Sequence, residues 1–438
     1  MLRERLLRIV GTISYYNSLL VGLLPAPLDR RQQEFRSTRI YLTYSAFVHL
    51  FSVIATTVVG CVYFFNLGFM TTHLVLQWTY GLTYLAKILF IIVLVKEIWC
   101  KRGCVMKAYT DYCLLEARHK ALLKKNQYVM PDGNPTRNGA VSEHGKIQSI
   151  IRDCEAAKKS ETRKTSLECR IADLIICKYL LGYGIVVMNA YNFVHRQSSS
   201  DSVYLTITFI AVAMNIFMLS ALGHFFYVLC QLYRQFSEIN QQLQILNEQL
   251  YLHKMLIEDN AEMIACRINS LTSLHVDGYR LAQRIFTIAE QILTALLLRL
   301  FAANMRTVYN VCLFVNQNMT QNLWSLTKEL LFTIVFFCDT GLMMFVLDAA
   351  LRECNDTGQV LKEFSELVEI HEIDCVRRAL DTFSAHLRAH KLRYMVCGLF
   401  EFNREASLQF FLMVLVKVTV LVQFDMQNKL RAGKTYII

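Results

Sequence analysis

Seven blocks of mostly apolar residues are distributed along this chain of 438 residues, over 41–65, 74–95, 172–194, 204–230, within 285–315, 326–350 and 405–424. A block of about 20 such residues, coiled as an α-helix, matches the roughly 30 Å hydrocarbon core of a bilayer. Apolar residues make up 54% of the chain, against the roughly 45–50% of ordinary soluble domains. The excess sits in the seven blocks, so the chain reads as an all-α, polytopic membrane protein with seven transmembrane helices. Only 17 Gly and 4 Pro are present, which excludes collagen-like and low-complexity chains.

The net charge is +11, and position decides what it means. Of the 46 Lys and Arg residues, 35 fall in the first 40 residues and in segments 96–170, 231–284 and 351–393. The short connections 66–73 and 316–325 hold none. Basic residues collect on the cytoplasmic side of membrane proteins, so the N-terminus is predicted to lie inside and the C-terminus outside. The charge then reports membrane topology and not nucleic acid. A G-protein-coupled receptor has the reverse orientation, and neither DRY nor NPxxY occurs where that family carries them.

Residues 1–40 form an N-terminal arm, with a predicted amphipathic helix over 2–24 on the inner membrane surface. Tyr15, Tyr16 and Asn17 interrupt its apolar run, which argues against a signal peptide. Residues 41–350 hold the first six spans, 351–404 return to the basic side, 405–424 cross again, and 425–438 form a tail. Within 96–170, residues 101–125 and 147–170 read as helices, whereas 126–146 carry Pro131, Gly133, Pro135, Gly139 and Gly145 and read as a flexible insertion. Leu232, Phe236, Ile239, Leu243, Leu246 and Leu250 recur at helical steps, so the fourth span continues past the membrane. Met255, Met263, Ile264 and Leu271 suggest the same for the fifth, and 357–392 is expected to feed the seventh. Stripes of this kind require a partner surface, within or between subunits.

The residues for enzyme chemistry are missing. His386 and His390 stand at i and i+4, but no HExxH frame surrounds them, so no metal is expected. The fourteen cysteines lack metal or disulfide spacing and read as free thiols. Asn318 opens an N-x-T sequon in a predicted outside loop. A second, at Asn355, lies on the predicted inside and should stay unmodified.

Charges within spans require an explanation, because each costs roughly 2.5–3.5 kcal/mol on insertion scales. Lys87, Lys178 and Lys328 are close enough to an interface to snorkel. Arg306 and Asp339 lie at comparable depth and read either as an ion pair or as cavity-lining groups. Gln77, Trp78, Tyr80, Tyr84, Asn189, Tyr191, Tyr204, Tyr309, Asn310 and Trp324 fill the outer halves of the spans. They suit an aromatic belt, or an outward-facing pocket in which rings supply area and amides orientation.

The last span carries the most specific pattern. Val418, Thr419, Val420, Leu421 and Val422 precede Gln423 and Phe424. This resembles the terminal signature of the insect gustatory receptor family, Thr-Tyr, five residues, then Gln-Phe, with Val416 and Lys417 replacing Thr-Tyr. Gly398, Leu399, Phe400, Phe402 and Asn403 are similar to that family's upstream segment. The stretch around Tyr15–Pro25 and Phe35–Phe47 looks like divergent fly members.

The resemblance implies a non-selective cation channel of the cell membrane of gustatory neurons, opened by a small-molecule tastant, bitter or otherwise non-volatile. It implies a homotetramer, or a heteromer with other gustatory receptors, in contact with lipid and without a cofactor. The last helix would line the pore and the segment 351–404 would help form a cytoplasmic anchor. Val420 and Phe424 share a face and could form the gate, with Gln423 beside them. Lys417 is expected a quarter turn away, toward a neighbouring helix. An odorant-receptor-type channel subunit and a metabotropic seven-span receptor are the alternatives.

Overall fold

The computed structural model describes residues 2–23, 28–29, 34–35, 38–66, 74–128, 143–195, 202–252, 257–316, 323–369 and 374–431. It is helical throughout, apart from two short hairpins. Among the described residues, seven helices are long and apolar enough to cross a membrane. They are α2 (Arg39–Asn66), α3 (Leu74–Cys100), α5 (Glu143–His195), α6 (Ser202–Leu252), α7 (Ile257–Asn316), α8 (Leu323–Glu369) and α10 (Arg404–Arg431). Three further helices are α1 (Leu2–Leu20), α4 (Arg102–Tyr128) and α9 (Asp374–Ala389). The bulk of the predicted insertion 126–146 lies outside the described residues.

Helix α7 has 60 residues, hence a length of about 90 Å at 1.5 Å per residue. That is about three times the hydrocarbon thickness, so the apolar segment accounts for only part of it. The excess is paired within the chain. Ile239, Leu243 and Leu246 of α6 are buried against Ile268 and Leu271 of α7, Phe364 of α8 and Phe383 of α9. The α6 stripe is therefore covered internally and is not left open for a neighbour. On α7 the buried face runs through Ala261, Ala265, Ile268 and Leu271, while Met263 is exposed.

Helix α1 docks by its polar side. Asn17 donates to the Tyr183 hydroxyl at 2.7 Å, and Ser14 meets the Tyr179 hydroxyl. Leu6, Ile9, Ile13, Tyr16 and Leu20 recur at helical steps and are turned outward, uncovered. Gly22 closes the end of the helix with a φ of 71°. Its carbonyl accepts from the Ser45 hydroxyl at 2.8 Å, which ties the arm to α2. Beyond Gly22, β1 (Leu28–Asp29) and β2 (Glu34–Phe35) pair antiparallel.

The expectation that 357–392 feeds the seventh span is corrected. Residues up to Glu369 prolong α8, and α9 is a separate helix. A hairpin of β3 (Met395–Val396) and β4 (Phe400–Glu401) then intervenes. Cys397 and Gly398 both take positive φ at its turn, which Leu399 N–H closes onto the Val396 carbonyl at 2.9 Å. Asn355 of α8 grips the approach to this hairpin, donating to and accepting from the Leu392 backbone at 2.9 Å each. Tyr394 donates to the Glu290 carbonyl on α7. Asn403 caps α10 by accepting from Ala406 N–H at 2.8 Å, a side chain satisfying one of the free donors of a helix start.

Candidate ligand cavity and terminal helix

A cavity of about 170 Å³ opens among α2, α3, α5, α6, α7 and α8. Its apolar wall includes Ile185, Met218, Leu222, Phe332 and Phe336, and its polar groups are concentrated on α3 and α7. Helical spacing explains the second point. Tyr80, Thr83, Tyr84 and Lys87 fall on one face of α3, and Arg299, Ala303, Arg306 and Asn310 on one face of α7.

The polar groups are only partly satisfied by one another. Lys87 donates to the Asn215 amide oxygen at 3.3 Å, and Asn310 donates to the Tyr80 hydroxyl at 3.3 Å. The Arg306 guanidinium lies 5.1 Å from the centre of the Tyr80 ring, and that of Arg299 lies 5.6 Å from that of Phe90. Both contacts put cations against ring faces, where the quadrupole attracts them. Arg306 Nε and Arg299 Nη1 are buried and have no hydrogen-bond partner among the described residues.

The expected pairing of Arg306 with Asp339 is overturned. Asp339 holds Lys178 of α5, with Nζ to Oδ1 at 2.7 Å, and Lys178 is 2% exposed. The same ammonium faces the Phe226 ring. Lys178 therefore does not snorkel, since a carboxylate within the bundle offers a nearer partner than the interface. Lys87 likewise stays at the cavity, whereas Lys328 lies over the Tyr191 ring at 5.2 Å.

Of the predicted pocket residues, Tyr80, Tyr84, Asn189, Arg306, Asn310 and Asp339 line the cavity. Trp78 is 72% exposed and points away from it, and Tyr191 is also exposed. Tyr309 is wholly buried in a separate cluster behind the wall. The Trp324 side chain and Asn318 lie outside the described residues. Sequence reasoning left Thr83, Lys87, Asn215 and Arg299 out of the pocket. The common signal was a polar side chain inside an apolar span.

Helix α10 takes no part in lining the cavity and is held by a narrow seam. Val414 and Val418 are buried in a cluster with Val75, Leu76, Tyr80, Met305 and Tyr309. Phe410 meets Phe301 of α7, and Phe411 meets Phe337 of α8. Away from this seam, Val420 is 53% and Phe424 51% exposed, and Lys417 and Gln423 are exposed too. At about 100° per residue, Lys417 lies within roughly 20° of Phe424 on the helix wheel. It shares the Val420–Phe424 face, so the expected quarter-turn separation is corrected, and no acidic partner meets it among the described interactions.

A family model described as 7tm chemosensory receptor matches residues 142–428. Over 421 residues the chain is 28% identical to the protein named gustatory receptor 58a of Drosophila melanogaster, covering 95% of this chain and 97% of that one. It is 24% identical to gustatory receptor 58b of the same species over 445 residues, covering 98% and 95%. Its fold is similar to that of the insect olfactory receptor OR5 from Machilis hrabei in complex with eugenol, with a TM-score of 0.57 at 12% identity over 95% of this chain and 99% of that one. A family match spanning more than half of the chain, together with seven helices of membrane-crossing length, makes this protein a multi-pass membrane receptor of the seven-span chemosensory family, within the insect gustatory receptors.

Proposed function

We propose that the protein is a tastant-gated cation channel in which a small, non-volatile molecule enters the cavity and α10 lines the ion path of an oligomer, a homotetramer or a heteromer with related receptors. In this reading the N-terminus is cytoplasmic, which the bias of basic residues toward its side supports. The observation that carries the reading is the double placement of Tyr80. Its ring lines the cavity under Arg306, and it also packs in the cluster that seats Val414 and Val418 of α10. A ligand that moves Tyr80 or Arg306 changes the seat of the terminal helix directly.

The uncovered face of α10 supports the second half of the reading. Val420 and Phe424 form an apolar stripe one helical turn long, and a ring of such side chains from several copies closes a narrow pore by dewetting. Gln423 lies about 100° from Phe424 and offers an amide to ions when the helix turns.

The test is expression of the full chain in oocytes, alone and with co-expressed relatives, under voltage clamp with a bitter panel. Currents that persist when G-protein signalling is blocked are expected. Tyr80→Ala should suppress the evoked current more than the resting one. Responses that vanish under the block would instead establish a metabotropic receptor.

A further inference from the structure

We infer that the cavity is selective for an anionic ligand, a small aromatic or aliphatic molecule bearing a carboxylate or another oxyanion. The inference deepens the proposed tastant site and rests on its being the ligand cavity.

The argument starts from charge. The lining residues include three cations, Lys87, Arg299 and Arg306, and one anion, Asp339. The anion is already committed, because Lys178 holds it at 2.7 Å from behind the wall. Three positive groups in a bundle with no free carboxylate among the described lining residues are costly to maintain, since buried charge without a counter-ion is strongly unfavourable. A binding site explains why such a cost is carried, and an oxyanion offsets it.

Hydrogen bonding points the same way. Arg306 Nε and Arg299 Nη1 are buried donors without a partner. Lys87 has a neutral amide at 3.3 Å, which leaves two of its protons free for another acceptor. These three groups are donors only, and their charge repels a ligand bearing an ammonium. The rest of the wall is largely apolar, with Phe332 and Phe336 facing the space. A dry cavity of about 150 Å³ takes a benzene molecule, so the 170 Å³ here holds about one ring, and a longer ligand such as a cinnamyl compound must extend through the cavity's open side.

The experiment uses the purified full-length protein in discs of phosphatidylcholine alone. Binding of cinnamate, cinnamamide and cinnamylamine is measured by calorimetry and by the shift in unfolding temperature. Because no current is recorded, the outcome is independent of whether the protein opens as a channel. Cinnamate should bind at least about tenfold more tightly than the amide, as charge-assisted hydrogen bonds imply, and the amine should bind most weakly. Arg299→Gln and Arg306→Gln should each bring the acid-to-amide ratio close to one, while Arg306→Lys keeps most of it. Adding phosphatidylglycerol to the discs separates sources: competition with cinnamate would assign the same chemistry to a lipid head group. An amide that binds as tightly as the acid, an amine that binds best, or no cinnamate binding at all overturns the inference, and each would do so in wild-type protein.

Discussion

Removing the Asp339 carboxylate should damage the protein more than removing its partner does. The Lys178 and Asp339 side chains are 3% and 9% exposed and meet at 2.7 Å. Asp339→Asn leaves the buried Lys178 ammonium facing a neutral amide in place of a carboxylate, beside a backbone carbonyl at 3.4 Å and a phenyl face. It also leaves Lys87, Arg299 and Arg306 across the cavity with no negative group among the lining residues. Breaking a buried pair from one side costs about 3–5 kcal/mol, and the unfavourable surroundings place Asp339→Asn at the upper end. Lys178→Met leaves a carboxylate among three cations, so its cost should be roughly 1–3 kcal/mol. The double change Lys178→Met with Asp339→Leu should be less destabilising than Asp339→Asn, because it leaves no lone ammonium at the pair while removing the same carboxylate from the three cations. Thermal unfolding followed by size-exclusion chromatography in detergent ranks the three. If Asp339→Asn proved as stable as wild type, or the double variant as unstable as Asp339→Asn, the buried pair would not stabilise the bundle and the charge argument would fail.

Other expectations concern the arm, the terminal helix and the basic end. Gly22→Ala places a Cβ 2.8 Å from Ser45 Oγ and 3.0 Å from Ser45 Cα at a φ of 71°, so α1 should loosen by about 1–2 kcal/mol, seen as faster proteolysis of the arm. Equal protection in both proteins would contradict that. Phe424→Ala should raise resting conductance at normal surface expression, and unchanged leak would remove Phe424 from the gate. Lys417→Tyr should shift the reversal potential toward greater cation permeability, because Lys417 lies on the Val420–Phe424 face; an unmoved potential would place it outside the ion path. Burial alone would raise the Glu116 pKa, but Lys120 at 2.7 Å and Arg234 at 3.5 Å hold it below the ordinary carboxylate value. Its stabilising effect is then present above about pH 4.3 and lost as pH falls through the folded value, so Glu116→Gln should cost about 1 kcal/mol at neutral pH and little in acid. A cost that persists in acid would point to packing instead.

The seven spans and the long continuations of α6 and α7 were legible because hydropathy and helical periodicity are local properties of the chain. The partners of buried charges were not. Lys178 and Asp339 stand 161 positions apart, and nothing in either helix distinguishes that pairing from Arg306 with Asp339. Depth was readable for both, whereas azimuth around the bundle was not. The same limit separated Tyr84, which lines the cavity, from Trp78, which is exposed, and Tyr309, which is in packed core. The hairpin before α10 was hidden for another reason. Its strands are two residues long, and its turn uses Cys397 beside Gly398, a weak signal next to Asn-Gly or Asp-Gly.

The attachment of α10 has a mechanical consequence. Its foot is fastened through the hairpin to α7 and α8, by Tyr394 on the Glu290 carbonyl and Asn355 on Leu392, and its cap is Asn403. Higher up, Val414 and Val418 are buried in the seam, Leu421 and Val422 pack against it, and Asp425 is buried beside Phe424. The helix is thus a lever with its fulcrum at the hairpin. Val414 stands 11 residues above Asn403 and Phe424 stands 21, or about 16 and 31 Å along the axis. A displacement of about 1 Å where the cavity wall pushes the seam becomes about 2 Å at Phe424, a mechanical advantage near two. In the proposed channel, small adjustments around a one-ring ligand would be amplified toward the far end, and lengthening the arm above the seam would increase the stroke without touching the binding site.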